Sequence, residues 1–170
     1  IYPMSAFDKK ALDDQRGYLT RTDNTQASLS FANLAAFEVL KNMGLQVDAV
    51  AGHSYGELSA LYAADVLDFD SYMQLTHRRG ELMRECNDKQ GGAMLAVLAP
   101  KDEVLEALAS LDKSKYLVEV ANYNAPDQVV LSGHAEAIEA AESRLQSSNL
   151  RAIKLPVGAA FHSSLMEQAS

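Results

Sequence analysis

The sequence predicts an α/β fold in two parts, on three observations. The β-prone run Gln46-Val47-Asp48-Ala49-Val50-Ala51 is stopped by Gly52 and followed by a helical stretch, the layout of a strand feeding a tight turn. Residues 28–43 and 68–85 carry apolar side chains at helical spacing. From Ala93 onward, short β-prone runs alternate with helical ones in the order β-α-β-β-α-β, the order of a ferredoxin-like unit.

Residues 8–24 are polar and charge-mixed and read as a surface segment leading into the first strong helix. That helix begins near Ser28; Leu29, Leu34, Phe37, Leu40 and Met43 share its apolar spacing, and Gly44 is placed to cap its C-terminus. After the strand at 46–51, helices are expected at 55–64 and 68–85. The alternating part reads as a strand at 93–98, a helix at 100–111 with Pro100 near its first turn, and strands at 116–121 and 128–132. A helix at 135–146, with Ile138 and Leu145 on one face, and a strand at 150–157 complete it.

At 170 residues the chain can bury one good core without a metal or disulfide staple. No stretch approaches the roughly 18 uninterrupted apolar residues of a membrane span, so no membrane is expected. A net charge of −8 without clustered Lys and Arg argues against nucleic acid as a partner. Cys86 is the single cysteine, which rules out an internal disulfide or a CxxC metal site, fits a reducing cytoplasm, and is expected as a helix-packing thiol. The start has neither an initiator Met nor a signal layout, so further sequence is expected upstream.

Gly52-His53-Ser54-Tyr55-Gly56 matches G-x-S-x-G in a strand–turn–helix context. A nucleophile on so sharp a turn crowds its neighbours, and glycine relieves the crowding. Ser54 would project from a helix N-terminus, where the dipole favours developing negative charge and the Tyr55 backbone N–H can serve as an oxyanion donor. The bland alternative is a serine capping a buried helix. A serine nucleophile needs a base, and histidine suits the task by its pKa. His53 lies inside the turn, His77 on a helix beside Arg78, and His134 at a helix start. His162 is the remaining candidate, in Gly158-Ala159-Ala160-Phe161-His162-Ser163, where small residues would let a loop approach the nucleophile; a structural histidine is the other reading. Tyr72, Leu75, Leu82 and Met83 mark the apolar face of the helix at 68–85, and Arg79 falls on or beside it. A guanidinium directed into a core needs an anion, supplied either by an internal carboxylate or by a substrate.

Four segments occur in a fixed order: Gly52-His53-Ser54-Tyr55-Gly56-Glu57, Arg79-Gly80-Glu81-Leu82-Met83, Ala121-Asn122-Tyr123-Asn124-Ala125-Pro126-Asp127-Gln128-Val129-Val130-Leu131-Ser132-Gly133 and Ala160-Phe161-His162-Ser163. In order and spacing they resemble the malonyl-CoA:acyl carrier protein transacylase family. The likeness runs over about residues 26–166 and is nearest to the acyltransferase domains of iterative polyketide and polyunsaturated fatty acid synthases. The resemblance implies an α/β-hydrolase-like core, incomplete at both ends, over 1–91 and 157–170, with an inserted ferredoxin-like βαββαβ subdomain over 92–156 and an active site in the cleft between them. It implies Ser54 as the acylated nucleophile, His162 as its base and Arg79 as the partner of the malonyl carboxylate. It also implies supporting substrate contacts from Asn122 and Gln128, and a Phe161 associated with malonyl rather than methylmalonyl selection. Two family features are absent from the sequence: a Gly-Gln-Gly stretch that supplies a second oxyanion group, and a downstream segment that orients the histidine. The chain is therefore expected to be a fragment, and no acidic residue is promoted to the third catalytic place.

The expected reaction is acyl transfer from malonyl-CoA through a serine-bound acyl-enzyme to the phosphopantetheine thiol of an acyl carrier protein domain, in the cytoplasm and among neighbouring synthase domains. No bound cofactor and no metal are expected; CoA thioester and phosphopantetheine enter as substrate groups. The alternatives are a serine hydrolase or thioesterase with the same elbow, against which a cationic Arg79 argues, and a non-catalytic scaffold fragment of a large synthase.

Overall fold

In the computed structural model, which describes residues 5, 8–112 and 114–169, the Asp8 carboxylate accepts the Ala11 N–H at 2.8 Å and caps a first helix, α1 (Lys9–Thr20). The surface segment expected at 8–24 is thus largely helical. α1 buries no residue, so its sequence lacks an apolar stripe, and side chains instead hold its end: Thr20, Asn24 and Thr25 donate to the carbonyls of Gly17, Tyr18 and Leu19. α2 (Thr22–Asn42) starts six residues before the expected Ser28. Asp23 anchors its first turn to Arg21 at 2.8 Å and to Arg84 at 3.2 Å, and the Arg21 hydrogen bond above all holds its carboxyl below the usual range. Gly44, at φ +89°, ends α2 as expected, with the Leu45 N–H on the Leu40 carbonyl.

Residues 46–51 form no strand. The run is exposed throughout, and among the described residues no neighbouring strand completes a ladder with it. α3 (Gly56–Ala63) and α4 (Phe69–Gln90) follow. The buried face of α4 is Tyr72, Thr76, Met83 and Cys86, whereas Leu75, expected on that face, is 45% exposed. Leu34, Tyr55 and Tyr72 form the first buried cluster, with Leu58, Tyr62, Leu67 and Met73 packed against it.

The chain divides into two compact units, Ile1–Arg84 and Glu85–Ser170. In the second, β1 (Ala93–Val97), α5 (Lys101–Ala107), β2 (Val118–Ala125), β3 (Gln128–Gly133), α6 (Ala135–Ser147) and β4 (Ala152–Lys154) build a small antiparallel sheet in the order β2-β3-β1-β4. α5 is shorter than expected. β2 lies later than 116–121 and takes in Asn122 to Ala125, with register irregularities at Val120/Asn122 and Tyr123/Ala125. β4 covers only part of 150–157. The core is a sandwich of strand and helix faces. Leu95 and Val97 of β1 and Val129 and Leu131 of β3 meet Ile138, Ala141 and Leu145 of α6, three residues at the 3-4 spacing of one helix face, with Val104 of α5 beside them. Cys86, at the C-terminal end of α4, is buried with Ala159 and Met166, with Phe161 packed against them, so the packing-thiol expectation holds. Among the described residues, no helix is long and apolar enough to cross a membrane.

Candidate active site

The chain turns between Gly52 and Gly56 within a single tight reversal. Ser54 sits at φ +53°, the left-handed region that a non-glycine residue occupies only when its surroundings impose it. A Cβ on Gly52 would collide with the Gly56 carbonyl and the Glu57 nitrogen, so only glycine fits there. Gly56 behaves differently from the sequence expectation: a Cβ on it would meet nothing within 4 Å, and its part in the turn is played by its backbone. The turn is closed by hydrogen bonds from the Gly56, Glu57 and Leu58 N–H groups to the carbonyls of His53, Ser54 and Tyr55 at 2.9, 3.2 and 3.1 Å. The Tyr55 N–H is not among these donors and stands at the N-terminus of α3 directly after Ser54.

Arg79 reaches this turn from α4. Its Nη2 lies 3.4 Å from Ser54 Oγ, and both residues are half-buried. Among the described residues, no carboxylate stands within 4 Å of the guanidinium. Burial pushes the Arg79 pKa down, with the more distant Glu57 acting in the opposite direction. Next to it, a Cβ on Gly80 would stand 3.0 Å from the Asp23 Cα, so α2 and α4 pack closely at this glycine and a side chain there would ask the backbone to give by a few tenths of an ångström.

The first unit also contains a chain of buried hydroxyls that sequence reasoning missed. The Tyr55 phenol donates to the Tyr72 hydroxyl at 2.9 Å and lies 2.9 Å from Thr76 Oγ1; Tyr72 lies 3.1 Å from Ser59 Oγ, which accepts from Asn33 Nδ2 at 2.9 Å. Tyr72 and Thr76 at i and i+4, with a tyrosine inside the elbow, were the available signal; Tyr72 was read only as an apolar marker.

Asn122, Gln128, Phe161 and His162 belong to the second unit. Asn122 lies on β2 opposite Val130, and Gln128 opens β3 with its Oε1 accepting from Asn124 Nδ2 at 3.2 Å. His162 is exposed at φ +58° in a turn fixed by Ser163 Oγ donating to the Ala160 carbonyl at 2.6 Å. The small residues before it have a local packing role. A Cβ on Gly92, itself at φ +153°, would come within 2.6 Å of the Ala160 Cβ, so glycine at 92 and alanine at 160 permit a backbone-to-backbone approach. Of the other histidines, His53 lies inside the elbow turn itself, His77 lies 3.2 Å from Glu81, and His134 occupies the N-cap position of α6 without a side-chain capping bond. No cluster of metal-ligating side chains occurs among the described residues.

Residues 9–170 match the family model for the acyl transferase domain. The malonyl CoA-acyl carrier protein transacylase of Bacillus subtilis (strain 168) is 40% identical over 154 residues, which cover 89% of this chain and 49% of that protein. The solved malonyl CoA-acyl carrier protein transacylase of Clostridium perfringens superposes with a TM-score of 0.82 at 37% identity, over 92% of this chain and 49% of that one. A malonyl-transacylase solved in complex with a type II polyketide synthase acyl-carrier protein superposes with a TM-score of 0.81 at 34% identity, over 89% of this chain and 50% of that one. The chain spans about half the length of the curated relatives it matches.

Proposed function

Because the chain belongs to the acyl transferase domain family, we propose that its parent protein moves malonyl groups from CoA to the phosphopantetheine thiol of an acyl carrier protein, with Ser54 as the carrier of the acyl group. The observation that carries this reading is Arg79: a half-buried guanidinium 3.4 Å from the elbow serine, with no carboxylate among the described residues to neutralise it. A malonyl unit supplies that carboxylate two bonds from its thioester carbon, a separation short enough for one end to meet the cation while the other lies over Ser54 Oγ.

In the first half-reaction, Ser54 Oγ attacks the thioester carbon, His162 takes the hydroxyl proton, and the oxyanion forms at the N-terminus of α3 beside the Tyr55 N–H. The tetrahedral intermediate collapses, CoA leaves as a thiolate, and His162 returns the proton to it. The carrier thiol then reverses the sequence. Asn122 and Gln128 take a supporting role toward the substrate, and Phe161 favours malonyl over methylmalonyl, as the family likeness implies. Neither half-reaction calls for a metal or redox cofactor. A carrier protein as partner is supported by the relative solved in complex with one, and neighbouring synthase domains by the sequence likeness to such synthases. The single buried thiol, Cys86, fits a cytoplasmic setting.

In the parent domain, residues 92–156 form an inserted ferredoxin-like subdomain, and 1–91 with 157–170 form a hydrolase-like core. The sheet order β2-β3-β1-β4 supports the first assignment. The second assignment rests on the likeness to the acyl transferase domain family.

The test is incubation of the full-length parent with radiolabelled malonyl-CoA, with and without carrier protein. Serine-bound label that moves to the carrier is expected, with no label on Ser54→Ala and labelling slowed on the order of 10²–10⁴-fold in His162→Ala. Rapid release of free malonate would instead identify a hydrolase, and an unlabelled wild type a scaffold.

A further inference from the structure

Ser54 is held to α4 at two neighbouring points. Ser54 Oγ meets Arg79 Nη2 at 3.4 Å, and one residue on, the Tyr55 phenol meets Thr76 Oγ1 at 2.9 Å. Thr76 and Arg79 are three residues apart on α4 and so share one side of it. The phenol donates onward to Tyr72, one turn earlier on the same helix, and that hydroxyl lies against Ser59 of α3, the helix that the elbow starts. Thr76 and Tyr72 are at most 1% exposed and Tyr55 is 6% exposed, so these hydroxyls have no water to fall back on if one is removed.

From this two-point attachment we infer that the Tyr55 phenol is a positioning residue that sets the spacing between the nucleophile and its carboxylate clamp; the inference rests on the malonyl-transfer reading above. Because the single Tyr55 proton goes to Tyr72, Thr76 donates to Tyr55, and the contact of Tyr72 with Ser59 carries the chain from the clamp helix into the elbow helix. Burial pushes the Tyr55 pKa up, so the phenol keeps its proton and the chain keeps its direction across the working pH range. A shift of the turn along α4 changes the distance from Ser54 to Arg79. That distance matters for a substrate that must touch both residues and is irrelevant to an acyl group without a distal carboxylate.

The test uses the full-length parent protein with Tyr55→Phe, Thr76→Val and Thr76→Ser, thermal melts as a check on folding, and kcat/KM for malonyl-CoA and acetyl-CoA acylation. The ratio of malonyl to acetyl is expected to fall roughly tenfold in Tyr55→Phe and in Thr76→Val, within what sub-ångström misplacement of a reactant produces. Thr76→Ser, which restores the hydroxyl, is expected to keep the wild-type ratio. Should Tyr55→Phe fail to fold, the Thr76 pair carries the comparison. An unchanged ratio in the folded variants, with both substrates declining together, overturns the positioning role while leaving malonyl transfer intact. A wild type that takes no malonyl label overturns both.

Discussion

Arg79 and Ser54 meet because two unrelated local constraints coincide. The elbow holds Ser54 at φ +53°, and α4 holds a guanidinium at a height from which it reaches that hydroxyl. Without substrate the cation has a neutral oxygen as its neighbour, a poor substitute for a carboxylate. Arg79→Ala is therefore expected to lower kcat/KM for malonyl-CoA on the order of 10²-fold, the scale for losing one partner of a desolvated charge pair, and to affect acetyl-CoA far less. Both rates measured in parallel, with a melt to confirm folding, check this; an equal decline for both substrates would make Arg79 a structural residue. This pair was legible in the sequence, since the elbow motif and a charge on an apolar helix face each announce themselves. The face itself was misdrawn. Periodicity favoured Leu75, yet Thr76 is the buried residue, because a hydroxyl that bonds Tyr55 can be buried cheaply and that bond joins positions 21 residues apart. A window of roughly 11–18 residues, the span over which helical periodicity is read, does not contain both partners.

At the scale of elements, legibility followed the source of stability. α6 is held by apolar packing, and its span, its buried face and its place before the last strand could all be read from residue spacing. α1 buries nothing and is held by the Asp8 cap and by side chains on its last carbonyls, so an apolar pattern had nothing to report. β2 slid toward its C-terminal end because its register answers to β3, through two irregularities that local propensity does not encode. The same distinction predicts how truncations behave. Leu145, fully buried between α6 and the sheet, should cost about 2–5 kcal/mol when changed to alanine, while Leu105 on α5, 45% exposed, should stay within about 1 kcal/mol. Urea midpoints of the two variants measure the difference; comparable losses would mean that α5 and α6 do not differ in packing as described.

For the molecule as a whole, the informative disagreement is the missing strand. Apart from Asp48, the run from Val47 to Ala51 is apolar, as a strand inside a sheet would be, and a strand of a parallel sheet has neighbours that arrive through long crossovers. Here the run is exposed, and so are Leu40, Met43 and Leu45 just before it. A strand is not a property of one segment, because its backbone groups are satisfied only by another strand beside it. The chain covers about half the length of its relatives, and the segments that would flank this run need not lie within it. The run that leads into the elbow is thus strand-like in sequence and unpaired in structure, which places the nucleophile at the end of a segment with little support of its own. Hydrogen exchange read by mass spectrometry separates the two states. In the 170-residue chain alone, the amides of 46–51 are expected to exchange at nearly unprotected rates, while those of β1, β3 and α6 exchange slowly. In a protein of the relatives' full length, the amides of 46–51 are expected to slow by orders of magnitude, as partners pair with them and the elbow gains a rigid base. Equal exchange at 46–51 in both lengths would mean that the run is a loop in the complete protein too, and that the elbow is held by the Tyr55 hydroxyl chain and α4 alone.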